Sequence, residues 1–195
     1  MMSQQEIAEL EREIFDLTAR LNRLRKATPP KPVPDYRFAT LSGDVTLLDL
    51  FTDRQHLLAI HNMGQECRFC TLWADGFNGV LAHLESAVSV VLLSRDPPRL
   101  QRDFANSRNW RFRLASHGGG SYIREQSVME GEGNMPGAVL YERSGDRVLR
   151  RNSVIFGPGD LYCPLWHLLA LAGLDEDDWV PRFRYWTPPG KLEDG

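Results

Sequence analysis

No stretch of this 195-residue chain approaches the ~20 consecutive apolar residues that a bilayer-crossing helix needs, so the sequence predicts no membrane span. The first residues, MMSQQEIAELEREIF, are rich in acidic side chains and contain no apolar signal core, so neither a secretory signal nor a transit peptide is expected and the reading is of a cytoplasmic protein. Cysteine is scarce. Three cysteines in a reducing compartment are too few for a disulfide framework, and a Cys-x2-Cys pair in such a protein points to catalysis or metal binding. The formal net charge of -3, with no basic patch interleaved with aromatics, argues against a nucleic-acid partner. No Gly-x4-Gly-Lys phosphate loop is present, and no organic cofactor is implied. His117-Gly118-Gly119-Gly120 matches the oxyanion-hole motif of some lipases, but no Gly-x-Ser-x-Gly elbow exists to supply their nucleophile. What remains is ordinary for a globular chain: 42% hydrophobic and 25% charged residues, enough for one domain with a sizeable core and extensions.

The informative stretch is Leu57 to Leu84. Leu57, Leu58, Ala59 and Ile60 form a run too short for a helix and apolar enough for a strand covered on both faces. After a connecting loop from His61 to Glu66 come Cys67 and Cys70. Leu72, Trp73, Phe77, Val80, Leu81 and Leu84 then recur at steps of three and four, the apolar face of a helix. Cys67 therefore falls at a helix N-terminus, where unpaired N–H groups and the positive end of the dipole favour a thiolate and lower a thiol's pKa below roughly 8.5. Arg68 acts in the same sense and Glu66 against it. The spacing makes Cys67 the candidate attacking thiol and Cys70, one turn deeper, the candidate resolving thiol. His61, at the end of the strand, is a candidate proton carrier.

Around this stretch the chain divides into residues 1–27, 28–34, 35–186 and 187–195. In the first, Ile7, Leu10, Ile14, Leu17, Leu21 and Leu24 follow the a/d spacing of a coiled coil over ~2–3 heptads, either a helix lying on its own domain or a pairing arm for a homodimer. The four prolines of TPPKPVP read as a semi-rigid linker. The third segment is the globular domain and the fourth a flexible tail. Within the domain, Tyr36, Phe38, a Ser42-Gly43-Asp44 turn and Val45 to Phe51 predict two short elements. Ala87 to Ser94 predicts a doubly covered strand, Asp96 an N-cap with Pro97 opening a helix, and Arg111 to Ser116 another strand. His117 to Asn134 reads as an exposed glycine-rich loop. Ala138 to Glu142 and Arg147 to Phe156 predict a hairpin about Ser144-Gly145-Asp146, and Asp160 caps a last helix from Leu161 to Ala172. The alternation of strands and helices predicts an α/β sheet with right-handed crossovers.

The Cys67-Arg68-Phe69-Cys70 motif opening a helix, the β-α-β order and a hairpin introduced by Pro136 together resemble the thioredoxin fold. More closely, residues 36–186 resemble an uncharacterised bacterial branch of that superfamily whose members are labelled thioredoxin-like or predicted dithiol-disulfide isomerases. The matching pieces are HNMGQECRFCTLWADGF, SRDPP, Met135-Pro136-Gly137 and FGPGDLYCPLWHLLAL. The resemblance implies a thioredoxin-like α/β fold with an N-terminal helical extension, and thiol-disulfide exchange on a protein or small-molecule disulfide. It also implies a cis Met135–Pro136 bond facing Cys67. The motif departs from the Trp-Cys-Gly-Pro-Cys of thioredoxin, and the Pro-x3-Thr-x2-Cys of peroxiredoxins is absent. Two other readings use the same residues. Cys67, Cys70, Cys163 and His167 have the composition of a structural zinc site, and a thioredoxin-like fold also serves redox-inactive adaptors.

Overall fold

The computed structural model describes residues 4–185. In chain order the elements are α1 (Gln4–Ala27), β1 (Lys31–Val33), β2 (Arg37–Thr40), β3 (Gly43–Thr46), a 3-10 turn (Asp49–Phe51), β4 (His56–His61), α2 (Arg68–Ala87), β5 (Ser89–Ser94), α3 (Pro98–Ser107), β6 (Leu114–Ser116), α4 (Ser121–Glu125), β7 (Gly137–Ser144), β8 (Arg147–Ile155) and α5 (Pro164–Ala170). All eight strands join one sheet in the order β1-β8-β7-β4-β5-β6-β2-β3. β4, β5 and β6 run parallel, joined by the α2 and α3 crossovers, while β7 pairs antiparallel with β4 and β8 continues as its hairpin mate.

The two central strands explain the layering. Every residue of β5 is buried, and its alternate side chains divide between two cores, as the two-residue period of a strand requires. Val91 and Leu93 join Leu57, Ala59, Phe38, Phe51 and Tyr141 on one face. Val90 and Leu92 join Ile60, Trp73, Leu81, Ala105 and Trp166 on the other, under α2, α3 and α5. The continuous apolar runs of β4 and β5 are thus the signature of a sheet covered on both sides.

Four local expectations change. Residues 31–33, inside the proline-rich segment read as a linker, form β1, with Pro32 opposite Leu149 at the sheet's margin; an edge strand tolerates proline because one row of its N–H groups has no ladder to complete. Asp96 does not cap α3. The N-cap is Pro97, and the Asp96 carboxylate is turned toward the loop before Cys67. The glycine-rich segment holds α4, whose Tyr122 and Ile123 are buried. The last helix is shorter than predicted, with Cys163 at its N-cap, because Asp160 Oδ1 accepts from the N–H groups of Tyr162 and Cys163 in a turn before it. The tail residues 187–195 lie outside the described residues.

Gly137 fixes how β7 enters the sheet. It pairs with His61 of β4 and Ile155 of β8, and a Cβ there would drive into the carbonyl oxygen of Val154 and lie 2.8 and 2.9 Å from the Val128 methyls. Gly137→Ala is expected to cost about 1–3 kcal/mol or more by overpacking, read as a lower denaturant midpoint with an unchanged slope.

Candidate active site

The loop from Asn62 to Glu66 carries the chain from β4 to α2, and buried polar groups fix its path. Asn62 donates its backbone N–H to Leu93 O at 2.8 Å. Its side chain accepts from Gly64 N at 2.9 Å and donates to Cys70 O at 3.4 Å, tying the loop to the first turn of α2. Gly64 has φ +123°, and a Cβ there would lie 2.9 Å from Asp96 Oδ2. That oxygen accepts the Gln65 N–H at 2.8 Å. The glycine therefore allows a carboxylate from the end of β5 to hold the loop.

Cys67 is the N-cap of α2, in extended conformation, and its Sγ accepts from the Cys70 N–H at 3.1 Å. Thr71 donates both its N–H and its hydroxyl to Cys67 O at 3.0 Å. Cys67 and Cys70 form a disulfide with their Cα atoms 5.3 Å apart. The sulfurs are not equivalent. Cys67 is half-buried and lines a groove of about 580 Å³ shared with Met63, Gln65, Arg95, Asp96 and Leu100. Cys70 is 3% exposed and near the Met63 N–H, 3.5 Å from its Sγ. The Arg68 guanidinium lies over the Phe69 ring, 5.7 Å from its centroid. Once the bond is reduced, the Cys70 N–H and the helix dipole both favour negative charge on the Cys67 sulfur.

The remaining residues singled out in the sequence separate. Pro136 is buried and directly precedes Gly137, the partner of His61, so its backbone adjoins the start of the cysteine loop. Asn134 Nδ2 reinforces this by donating to Met63 O at 3.3 Å. The Met135–Pro136 bond is trans, however, because the described residues contain no cis peptide. The chain turns instead at Asn134, in the left-handed region with φ +56°, leaving proline the trans form it prefers by roughly 0.5–1 kcal/mol. His61 shares its strand face with Leu57 and Ala59, opposite the face that α2 covers. Its imidazole is therefore not brought to the sulfurs. Cys163 is buried among Trp73, Phe156 and Trp166, where burial pushes its thiol pKa up. His167 Nε2 lies 3.0 Å from Asp160 O. The four-residue zinc set is not assembled: among the described residues no three His, Cys, Asp or Glu side chains form a group that could hold a metal ion.

His61 belongs to a buried polar chain that the sequence did not reveal. Its Nε2 lies 2.8 Å from Tyr122 Oη. Tyr141 Oη lies 3.2 Å from that hydroxyl and 3.3 Å from Gln126 Oε1. Gln126 donates to Tyr36 Oη at 3.0 Å, and Tyr36 donates to Glu125 at 2.7 Å. Burial is the first cause of each shift here. The His61 pKa falls to about 3, with His117 and Arg150 adding repulsion. His117 falls to about 4 through burial and then Arg95, which Asp96 partly opposes. Tyr122 rises well above its ordinary value. The network's histidine, His61, is thus neutral, and the network lies on the sheet face opposite α2.

A family model described as "Bacterial protein of unknown function (DUF899)" matches residues 2–185. No curated protein matches the chain. Among solved structures, a mutant of peroxiredoxin Q from Xanthomonas campestris is 17% identical with a TM-score of 0.53, covering 70% of this chain and 88% of that one. Peroxidoxin BcpB from Mycobacterium tuberculosis is 19% identical with a TM-score of 0.52, over 74% and 94%. A putative protein disulfide isomerase from Bacteroides thetaiotaomicron is 16% identical with a TM-score of 0.52, over 72% and 86%. At these identities the likeness is one of fold, and the fold is thioredoxin-like with α1 added in front. Among the described residues no helix is long and apolar enough to cross a membrane.

Proposed function

The chain belongs to the family described as Bacterial protein of unknown function (DUF899), and from that premise we propose that it is a thiol-disulfide oxidoreductase working through Cys67 and Cys70. The observation that carries this is the inequality of the two bonded sulfurs: the N-cap sulfur lines an open groove and its partner is buried one turn in. In the reduced protein the Cys67 thiolate attacks one sulfur of a substrate disulfide. A mixed disulfide forms and the first substrate thiolate leaves. The Cys70 thiolate then attacks Cys67 Sγ, the mixed disulfide breaks, and the second substrate thiolate leaves. Two electrons pass to the substrate, both leaving thiolates take up protons, and the Cys67–Cys70 bond is restored. The reverse sequence oxidises a dithiol.

Exchange fits the residues better than peroxide chemistry. The Pro-x3-Thr-x2-Cys pattern would place proline at Ile60 and threonine at Gly64, and neither is present. In the reduced protein Cys67 is expected to react with iodoacetamide faster than Cys70 and at lower pH than a free cysteine. Equilibration with oxidised glutathione should then protect both thiols together, leaving Cys163 unchanged. Independent alkylation of Cys67 and Cys70 after that treatment would sink the proposal and favour an adaptor.

A further inference from the structure

The helix α1 has no buried residue, although it carries six apolar side chains in one stripe. Ile7, Leu10, Ile14, Leu17, Leu21 and Leu24 are 38% to 61% exposed, and the domain meets the helix near its last turn: Arg25 donates to Tyr162 Oη at 2.8 Å, and Asn152 and Arg151 donate to the carbonyls of Arg25 and Lys26. An amphipathic helix gains most of its stability from packing that face, and this stripe has the a/d spacing of a two-stranded coiled-coil seam.

We propose that the stripe is covered by α1 of a second copy of this chain, running antiparallel. The charge order selects the direction. With Ile7, Ile14 and Leu21 at a and Leu10, Leu17 and Leu24 at d, an antiparallel pair brings Ile7 opposite Leu24, Ile14 opposite Leu17, and Leu21 opposite Leu10. All six layers are then filled in one register. The flanking g positions bring Glu13 of each copy to Arg20 of the other. A parallel pair would instead set Arg20 against Arg25 and Glu6 against Glu11, repelling on both sides of the seam. Acidic side chains dominate the start of the helix, with Glu6, Glu9, Glu11 and Glu13 against the single cation Arg12, and basic ones its end, with Arg20, Arg23, Arg25 and Lys26. Antiparallel packing therefore also sets each acidic half and dipole end against its complement. The pairing leaves Arg25 on Tyr162, since Glu13 and Arg20 lie nearer the middle of the helix.

Sedimentation velocity of the full chain across a range of concentrations tests this. The chain is expected to show a reversible monomer–dimer equilibrium, and Ile14→Asp to leave only monomer, whose unfolding transition matches that of the original chain at concentrations where that chain is also monomeric. Arg20→Glu should weaken the dimer about tenfold, because symmetry changes two ion pairs at once. The double variant Glu13→Arg with Arg20→Glu should recover the original affinity, which a merely disrupted helix would not. A monomer at every concentration, a dimer indifferent to Ile14→Asp, or tighter association of Arg20→Glu, as parallel helices require, would each overturn the proposal. These readouts need no redox activity, so they stand or fall apart from the proposed exchange reaction.

Discussion

Substitution of Cys70 by serine is expected to convert the protein into a trap: Cys67 still attacks a substrate disulfide, but nothing one turn deeper displaces the captured half. A mixed disulfide should then accumulate, visible as an adduct on a non-reducing gel and released by dithiothreitol. Cys67→Ser is expected to abolish exchange by several orders of magnitude and to form no adduct, because the remaining sulfur is 3% exposed and does not line the groove. The reasoning rests on access and on the helix end together. A serine hydroxyl at the N-cap keeps an acceptor for the Cys70 N–H, so Cys67→Ser should retain most of the stability of the reduced protein while losing its chemistry. A Cys70→Ser protein that turns over at the native rate would show that an external thiol resolves the adduct and that Cys70 is dispensable.

Acidification is expected to unfold the protein well before its carboxylates are all protonated. In the folded state His61 titrates near 3 and His117 near 4, each below its unfolded value of 6.5 because burial disfavours the imidazolium. A depressed histidine means that the unfolded chain binds more protons than the folded one below pH 6.5. Their contribution is thus fully present above 6.5 and is lost as pH falls through the window down to about 4 and then 3. The loss is on the order of 8 kcal/mol for the two together, comparable with the whole stability of many domains. Denaturant titrations between neutral and acid pH should show unfolding free energy rising with pH by up to two protons' worth of slope. His61→Gln should remove about one of them, whatever it does to absolute stability. A flat profile over this interval would mean that these imidazoles are wetted and charged in the fold.

The parts of the site legible in the sequence are those that local chemistry determines. Two cysteines three residues apart, after a short apolar run and before a helical stripe, specify strand, loop and N-cap without reference to the rest of the chain, and the structure sets them as a bonded pair. Features that depend on distant partners were not legible. His61 looks close to Cys67 in sequence, yet the two-residue period of β4 directs it away from α2 and toward Tyr122, 61 positions on. Asp96 has the composition of a helix cap, and only the parallel pairing of β4 and β5 shows that its carboxylate serves Gln65. A cis isomer at Pro136 rests on resemblance alone, and the left-handed Asn134 that makes the turn gives no separate signal. Tyr122 and Ile123, the one apolar pair within the segment from Ser121 to Gln126, are the faint sign of α4 inside a glycine-rich run. β1 is hidden by its proline.

The strand hidden in the proline-rich segment has a mechanical consequence. Because β1 is laced to β8 from Lys31 to Val33, and the last turn of α1 is bolted to Tyr162, Asn152 and Arg151, the leading helix is an outrigger rather than a tether. The helix is thereby joined to the β7–β8 hairpin, whose far end opens at Gly137, paired with His61 at the start of the chain leading to the sulfurs.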